Sequence, residues 1–352
     1  MKKTLGRFRS ASGLCDIRFY FYAPEKPKAV VLMSHGMCEY IERYEEFAEF
    51  LCENDIAFCG NDHLGHGNSV SDDDLLGYFG SRRGYINMVR DLNRMRKIAQ
   101  LKFPDLPIFL VGHSMGSFLG RIFLSKYPVH FNGAIFTGTA GGITGSAPLR
   151  AILDLTSRSN GELYRPKLCT KLASGLFNLR TENRRTPNDW LSRDDKTVDK
   201  FCADKKCNFT FTTAGYRDML NALLCCNSAP VIENTPTDIP LLFLLGDRDR
   251  LQKVNDRLRV LQRDMSIFLR MRQTVLCLVH ESDDLVLQRR LLLFLLGSGS
   301  LFAALLFFLL DFLLDILFAG VLIFFTKRLP HCRVAAIAAL PLPVILGNCL
   351  VD

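Results

Sequence analysis

The chain has 352 residues, of which 48% are hydrophobic and 23% are charged, and its formal net charge at pH 7 is +8. This length and composition allow one large α/β domain with an insertion, or two smaller domains, with enough apolar side chains for a substantial core. The net charge is mild and the basic residues are scattered along the chain, so nothing in the sequence indicates nucleic-acid binding.

The first half of the chain alternates short apolar runs with segments whose apolar residues recur at helical spacing. These patterns predict strands and helices respectively. The predicted strands are 17–22, 29–33, 56–59, 108–111 and 133–137, and the predicted helices are 41–53, 84–103 and 117–126. Buried strands separated by helices indicate a mostly parallel sheet with helices on both faces. Residues 1–140 are therefore predicted to form the N-terminal half of an α/β core.

The pattern changes between residues 141 and 236. This stretch is polar, rich in arginine and helical in patches, and it contains no clear buried strand. It is predicted to be a helical cap or lid inserted into the core. A buried-strand pattern returns at 240–245, so 237–290 is predicted to be the C-terminal part of the core.

The composition shifts after Arg250, where leucine, phenylalanine and arginine become dominant. Residues 291–352 form an apolar tail, and 301–325 is long enough to cross a bilayer although Asp311 and Asp315 interrupt it. This segment predicts a transmembrane helix. The alternative hypothesis is that the sequence after 250 is degenerate, or the product of a shifted reading frame.

The chain contains twelve cysteines, yet none are spaced as C-x-x-C. Several lie within apolar patterns, where a reduced thiol behaves as a small hydrophobic residue. Met1 is followed by polar sequence and not by the apolar stretch of a secretory signal. We therefore expect a cytoplasmic catalytic domain without disulfides, which the C-terminal segment would anchor to a membrane.

The most informative motif is Gly-His-Ser-Met-Gly at 112–116, which lies between a predicted strand and a predicted helix. Strand, sharp turn and helix is the context of a G-x-S-x-G nucleophile elbow. Ser114 is therefore the predicted nucleophile, and Gly112 and Gly116 are expected to let the strand and the helix approach each other. His113 is expected to pack or to orient the site, without a catalytic role.

A serine hydroxyl becomes a nucleophile when a histidine takes its proton and a carboxylate orients that histidine. In hydrolases with this elbow the chain order is serine, acid, histidine. Asp249 follows the strand at 240–245 and is the preferred acid, with Asp247 as the alternative. Downstream, His331 lies between two apolar tail segments, so His280, which follows an apolar run, is the predicted base.

Acyl transfer also requires backbone N–H groups that stabilise the oxyanion. One is expected from Met115, directly after the nucleophile. The second is expected from Met37, in a loop where His35 and Gly36 follow the strand at 29–33. No cofactor is predicted, and no metal site, because His63 and His66 lack a third ligand at suitable spacing. Residues 61–69 are predicted to form a structural turn in which Asp62 accepts hydrogen bonds from loop amides.

Together these motifs resemble the monoacylglycerol lipase and lysophospholipase group, the serine-aminopeptidase-like branch of the α/β-hydrolases. The resemblance covers about residues 1–250. The matching segments are 34–37, 62–69, 112–116, 186–194 and 246–249. The resemblance implies hydrolysis of a lipid-like ester through an acyl-enzyme, with a mobile cap that forms an apolar entrance. It also implies Ser114 as nucleophile, Asp249 as orienting acid, and Met37 and Met115 as oxyanion donors.

The sequence departs from that group downstream of the predicted acid. Residues 250–253 replace the usual Pro-Val-Gly segment, and His280 with Glu281 retains half of the usual histidine motif. Two other hypotheses therefore stay open. In the first, the chain is a catalytically impaired relic of the fold. In the second, it is a membrane-tethered protein whose cap captures an acyl ligand without turnover, with membrane contact through the cap and the C-terminal tail. Among enzymes, a peptidase or a non-lipid esterase is a further alternative, because fold and triad do not select the acyl group.

Overall fold

The computed structural model describes residues 1–127, 131–141, 146–167, 184–192, 194–246 and 274–279. All of them belong to the first of two compact units, Met1–Leu293. The predicted residues Asp247, Asp249 and His280 and the whole apolar tail, including 301–325, lie outside the described residues.

A sheet of eight strands runs through the described part of the chain, in the order β1-β2-β4-β3-β5-β6-β7-β8. β1 pairs antiparallel with β2, and β2 with β4, whereas every other neighbouring pair is parallel. The mostly parallel sheet predicted from the sequence is therefore confirmed. The strands are β1 Lys2–Arg9, β2 Asp16–Ala23, β3 Ala29–Ser34, β4 Ile56–Asn61, β5 Ile108–His113, β6 Gly133–Thr137, β7 Leu241–Gly246 and β8 Thr274–Val279.

The helices that were predicted in the first half are present at the expected places. The first of them begins as a 3-10 turn, Ile41–Tyr44, before it becomes α-helical. The α-helices of the described residues are α1 Glu45–Glu53, α2 Gly84–Lys102, α3 Met115–Lys126, α4 Ser146–Asn160, α5 Asp195–Ala203, α6 Thr213–Cys226 and α7 Ala229–Glu233. Short 3-10 turns also occur at Asp73–Leu75 and Asp189–Leu191.

Helices pack on both faces of the sheet. Alternate strand residues such as Leu32 and Leu110 belong to the hydrophobic core that α2, α3 and α6 share. On the opposite face, Phe47 of α1 contacts Phe58 of β4, with ring centroids 5.9 Å apart. Val31, paired in register with Phe58, is fully buried. Burial on both faces explains why these strands are continuous apolar runs and not alternating ones.

The predicted insertion, 141–236, contains α4 to α7 in its described parts. Of these, α6 packs against α2 and α3 as well as against α4. The division of the chain into core halves, cap and tail stays a prediction. No helix in the described residues has both the length and the apolarity needed to cross a bilayer.

Candidate active site

Ser114 lies at the junction of β5 and α3 in a conformation that few non-glycine residues adopt. Its φ is 50° and its ψ is −119°, and positive φ of this kind costs free energy of order 1–3 kcal/mol at a non-glycine residue. Its backbone is held on both sides: its N–H donates to the Thr137 carbonyl at 2.9 Å, and its carbonyl accepts from the Ser117 N–H at 2.9 Å and hydroxyl at 2.6 Å. The sharp turn between strand and helix that the motif predicts is therefore present.

The two motif glycines are required by close backbone contacts. A Cβ at Gly112 would lie 2.9 Å from the Gly116 carbonyl oxygen. A Cβ at Gly116 would overlap the Ser34 carbonyl oxygen and lie 2.5 Å from that of His35. The start of α3 is therefore packed directly against the loop that follows β3, and this packing brings the two predicted oxyanion segments together.

The loop after β3 is held by side chains on both of its sides. The Gly36 N–H donates to Oε2 of Glu39 at 2.8 Å, and the Tyr44 hydroxyl donates to the same oxygen at 2.6 Å. A Cβ at Gly36 would lie 3.1 Å from the His113 ring. His113 in turn contacts Thr137, with 2.9 Å between Nδ1 and Oγ1. His113 and Gly36 therefore pack against each other beside the elbow.

His35 fixes the direction of this loop through both ring nitrogens. Its Nε2 accepts the backbone N–H of His63 at 2.8 Å, so its Nδ1 carries the proton and donates to the Gly36 carbonyl at 2.8 Å. His35 is completely buried, and burial lowers its pKa far below the usual range, so the ring is neutral. The Ser34 hydroxyl and Nε2 of His63, 3.0 Å apart, form a second link between the two loops.

Residues 61–69 form the structural turn that the sequence predicts. Asp62 accepts hydrogen bonds from the amides of Ile41 and Asn68, at 2.9 and 2.8 Å. Burial raises the pKa of Asp62 to about 6 against the opposing effect of these two amides. The ring of His66 stacks on Phe79 with centroids 5.3 Å apart, and its Nδ1 donates to the Leu64 carbonyl at 3.1 Å. Among the described side chains, no group of three or more histidine, cysteine, aspartate or glutamate residues is arranged to hold a metal ion.

The buried His66 makes a testable contribution to acid sensitivity. Burial lowers its pKa from 6.5 to about 4, so below pH 6.5 the unfolded chain binds a proton that the folded chain does not. The contribution of His66 to the free energy of unfolding is therefore fully present above pH 6.5, and it is lost as the pH falls towards 4. His66→Asn keeps a donor near Nδ1 and does not titrate. We expect the stability advantage of wild type over the variant to shrink by roughly 3 kcal/mol between pH 6.5 and 4.

Urea unfolding of both proteins across this pH range measures the difference, in which the effects of buried carboxylates such as Asp62 cancel. A difference in the free energy of unfolding that is independent of pH would show that His66 titrates in the same way in the folded and unfolded chains.

The structure packs the elbow against the segment that precedes Met37: Gly116 lies against Ser34 and His35, and His113 lies beside Gly36. Met115 is the first residue of α3, where helical N–H groups have no acceptor within the helix. β7 and β8 are parallel to β5 and end at the same edge of the sheet, at Gly246 and Val279. Asp247, Asp249 and His280 follow these ends in sequence, but lie outside the described residues.

Sequence reasoning missed three supporting residues. Glu39 holds the Gly36 amide, Thr137 holds both the Ser114 amide and the His113 ring, and His63 links Ser34 and His35. Of these three, only Glu39 could be found from the sequence nearby, because a carboxylate three residues after Gly36 can accept a hydrogen bond from an amide of the turn.

Comparisons with known proteins agree with this fold. A family model described as serine aminopeptidase, S33, matches residues 25–267. The chain is 34% identical to a monoglyceride lipase of Rattus norvegicus over 116 residues, 33% of this chain, and it spans only 36% of that relative's length. It is 29% identical to a monoglyceride lipase of Mus musculus over 237 residues, 66% of this chain and 69% of the relative.

Among solved structures, a thermostable carboxyl esterase from Bacillus coagulans, determined in complex with glycerol, is similar with a TM-score of 0.72 and 25% identity. The superposition covers 83% of this chain and 96% of the esterase. The architecture of the described residues therefore has a counterpart among solved structures.

Proposed function

Because this chain belongs to the serine aminopeptidase S33 family of α/β-hydrolases, we propose that it is a serine hydrolase that cleaves carboxylic esters of lipid-like substrates. The substrate class is that of monoacylglycerols and lysophospholipids. The observation that carries the proposal is the strained Ser114 at the β5–α3 junction, in an elbow whose Gly116 packs against the backbone of Ser34 and His35.

In the proposed reaction, the Ser114 hydroxyl attacks the ester carbonyl carbon while His280 takes its proton, and Asp249 orients the imidazole. The amides of Met37 and Met115 stabilise the negative oxygen of the tetrahedral intermediate. The C–O bond to the alcohol then breaks, and the alcohol leaves with the proton from His280. Water attacks the acyl-enzyme with the same proton transfer, which releases the carboxylic acid and restores the serine.

The neutral state of His35 supports this arrangement. A loop that must stabilise a developing negative charge is pre-organised when its own hydrogen bonds are fixed before the substrate arrives. His35 binds the Gly36 carbonyl, Glu39 binds the Gly36 amide, and Tyr44 holds Glu39 in place. The His35 ring is neutral, because burial lowers its pKa.

Two observations support a lipid-like substrate. The rat and mouse relatives are monoglyceride lipases. In addition, α4 of the predicted cap exposes apolar side chains on successive turns, with Leu149, Ile152 and Leu155 at 38%, 57% and 65% relative exposure. Exposed apolar surface of this kind is typical of sites that contact a membrane or an apolar ligand.

A panel of p-nitrophenyl esters tests the substrate class. From acetate through butyrate to octanoate, we expect kcat/KM to rise by up to about fourfold per methylene, since burial of each CH₂ contributes about 0.8 kcal/mol. Aminoacyl p-nitroanilides are the comparison for peptidase activity and should be cleaved far more slowly. A flat or falling dependence on chain length, or faster anilide cleavage, would contradict a lipid-like substrate.

A further inference from the structure

The hairpin of β1 and β2 carries an unusual arrangement of arginines. Arg7 on β1 is directly opposite Arg18 on β2, and Arg9 is opposite Asp16 on the same face. Arg9 is neutralised by Asp16 at 3.6 Å and also donates to the Gly13 carbonyl. Within the described part of the chain, neither the Arg7 nor the Arg18 guanidinium forms an ion pair with a carboxylate.

Two like charges directly opposite each other on an antiparallel pair destabilise the pairing. The repulsion is offset when both guanidinium groups bind one anion between them, because each group is attracted to that anion. The register would accommodate a carboxylate at either position, as it does at Asp16 opposite Arg9, yet both positions of this pair are arginines.

The two arginines line a polar surface cleft of about 270 Å³. Asn68, Val70 and Ser71, from the segment after β4, form its other wall. The cleft therefore offers two cationic groups, with the exposed Ser71 hydroxyl available as a neutral donor, and its one acidic residue, Asp16, is already paired. Its volume lies below the ~300 Å³ of the smallest pockets for drug-sized ligands, so it suits a small anionic group and not a whole lipid.

The cleft opens at the same edge of the sheet as Ser114. Phe19 of β2 pairs with Asn61 at the carboxyl end of β4, so Arg18 lies at the edge where the parallel strands end. β4 and β3 separate β2 from β5, and three strand spacings of about 4.8 Å place the two sites roughly 14 Å apart along the sheet. An anion in the cleft would lie beside the predicted reaction site and not inside it.

We propose that the cleft between Arg7 and Arg18 binds a phosphate group, carried by a phosphomonoester or phosphodiester. Guanidinium groups donate paired N–H bonds that match the spacing of phosphate oxygens, and such charge-assisted bonds are the strong ones. The phosphate can come from the headgroup of an anionic phospholipid or from a soluble phosphate. The proposal is independent of ester hydrolysis.

The test compares two double variants that each remove two positive charges. Arg7→Gln with Arg18→Gln empties the cleft of its unpaired guanidinium groups. Arg82→Gln with Lys97→Gln removes two exposed charges elsewhere and is the matched control. Circular dichroism first verifies that each variant is folded. Binding is then measured by co-sedimentation with vesicles of phosphatidylcholine, with and without phosphatidylglycerol, and by the shift in Tm that inorganic phosphate causes relative to chloride at equal ionic strength.

We expect the cleft variant to bind about 10- to 100-fold more weakly per arginine removed, because a hydrogen bond to a charged group contributes about 1.5–3 kcal/mol. The control should bind as wild type does. Binding to phosphatidylglycerol vesicles that is lost in the cleft variant identifies the headgroup as the source of the phosphate. A phosphate-induced shift in Tm that is lost in the cleft variant, without vesicle binding, identifies a soluble phosphate. An equal loss of binding in the cleft variant and in the control variant would overturn the proposal, and so would a wild-type protein that binds in neither assay.

Discussion

Replacing Ser114 with alanine is expected to lower kcat/KM for ester hydrolysis by about 10⁴- to 10⁶-fold, since it removes the nucleophile and leaves only the contribution of binding and the oxyanion donors. The fold should be unaffected, because the backbone bonds of residue 114 to Thr137 and Ser117 do not involve its hydroxyl. The measurement is steady-state hydrolysis of p-nitrophenyl octanoate by wild type and variant at equal concentration.

Ser117→Ala is the matched control. Ser117 is also a serine of α3, but it is buried and donates its hydroxyl hydrogen to the Ser114 carbonyl. Loss of one such bond costs about 1 kcal/mol, so activity should remain within about tenfold of wild type. If Ser114→Ala retains wild-type activity, another residue is the nucleophile.

Ser114→Gly separates strain from chemistry at the same position. Glycine adopts φ near 50° without steric penalty, so this variant should be inactive, yet more stable than wild type by about 1 kcal/mol. A more stable but inactive protein is the signature of strain held at a functional residue. Urea unfolding gives the stability, and an unchanged or lower free energy of unfolding would show that the turn is not strained.

Gly116→Ala is expected to have the second largest effect. Its Cβ would overlap the carbonyl oxygen of Ser34 and press on that of His35, and these are backbone atoms that no rotamer change can move aside. The start of α3 must therefore shift away from the loop of Gly36 and Met37. Overpacking of this kind costs about 1–3 kcal/mol, and a displacement of about 1 Å in a catalytic group can lower the rate by about 100-fold.

Gly120→Ala, one turn further along α3, is the control for this variant. A Cβ there would meet the edge of the Phe136 ring at 2.8 Å, a side chain that can move. We expect some loss of stability but a kcat within about threefold of wild type, because this position is one turn from the elbow. Equal losses of kcat in the two variants would mean that contact between α3 and the oxyanion loop is not what positions the site.

Much of the central sheet could be predicted from the sequence, because strands buried on both faces leave an unmistakable apolar run. Ala29–Ser34 and Gly133–Thr137 were located to within one residue for this reason. β1 was missed. Lys2–Arg9 lies at the edge of the sheet and carries charges at both of its ends, and charged edge strands lack the apolar signal while they protect against aggregation.

The position of Ser114 was also predictable, since a short motif between strand and helix defines the turn locally. Its helix begins at Met115, two residues earlier than the apolar spacing indicates, because Gly116 and Ser117 carry no apolar side chain that would extend the pattern. The network around His35 was not predictable. Its contacts join residues 28 positions apart in the chain, from His35 to His63, and they exist only once β3 and β4 are adjacent.

Covalent labelling of Ser114 by a fluorophosphonate tests the central claim most directly. The probe reacts with a serine hydroxyl only where a base and oxyanion donors activate it. The folded wild-type protein should acquire a single adduct, which peptide mass spectrometry maps to Ser114, and heat-denatured protein or Ser114→Ala should acquire none. A folded wild-type protein that stays unlabelled, or an adduct at another residue, would contradict the account.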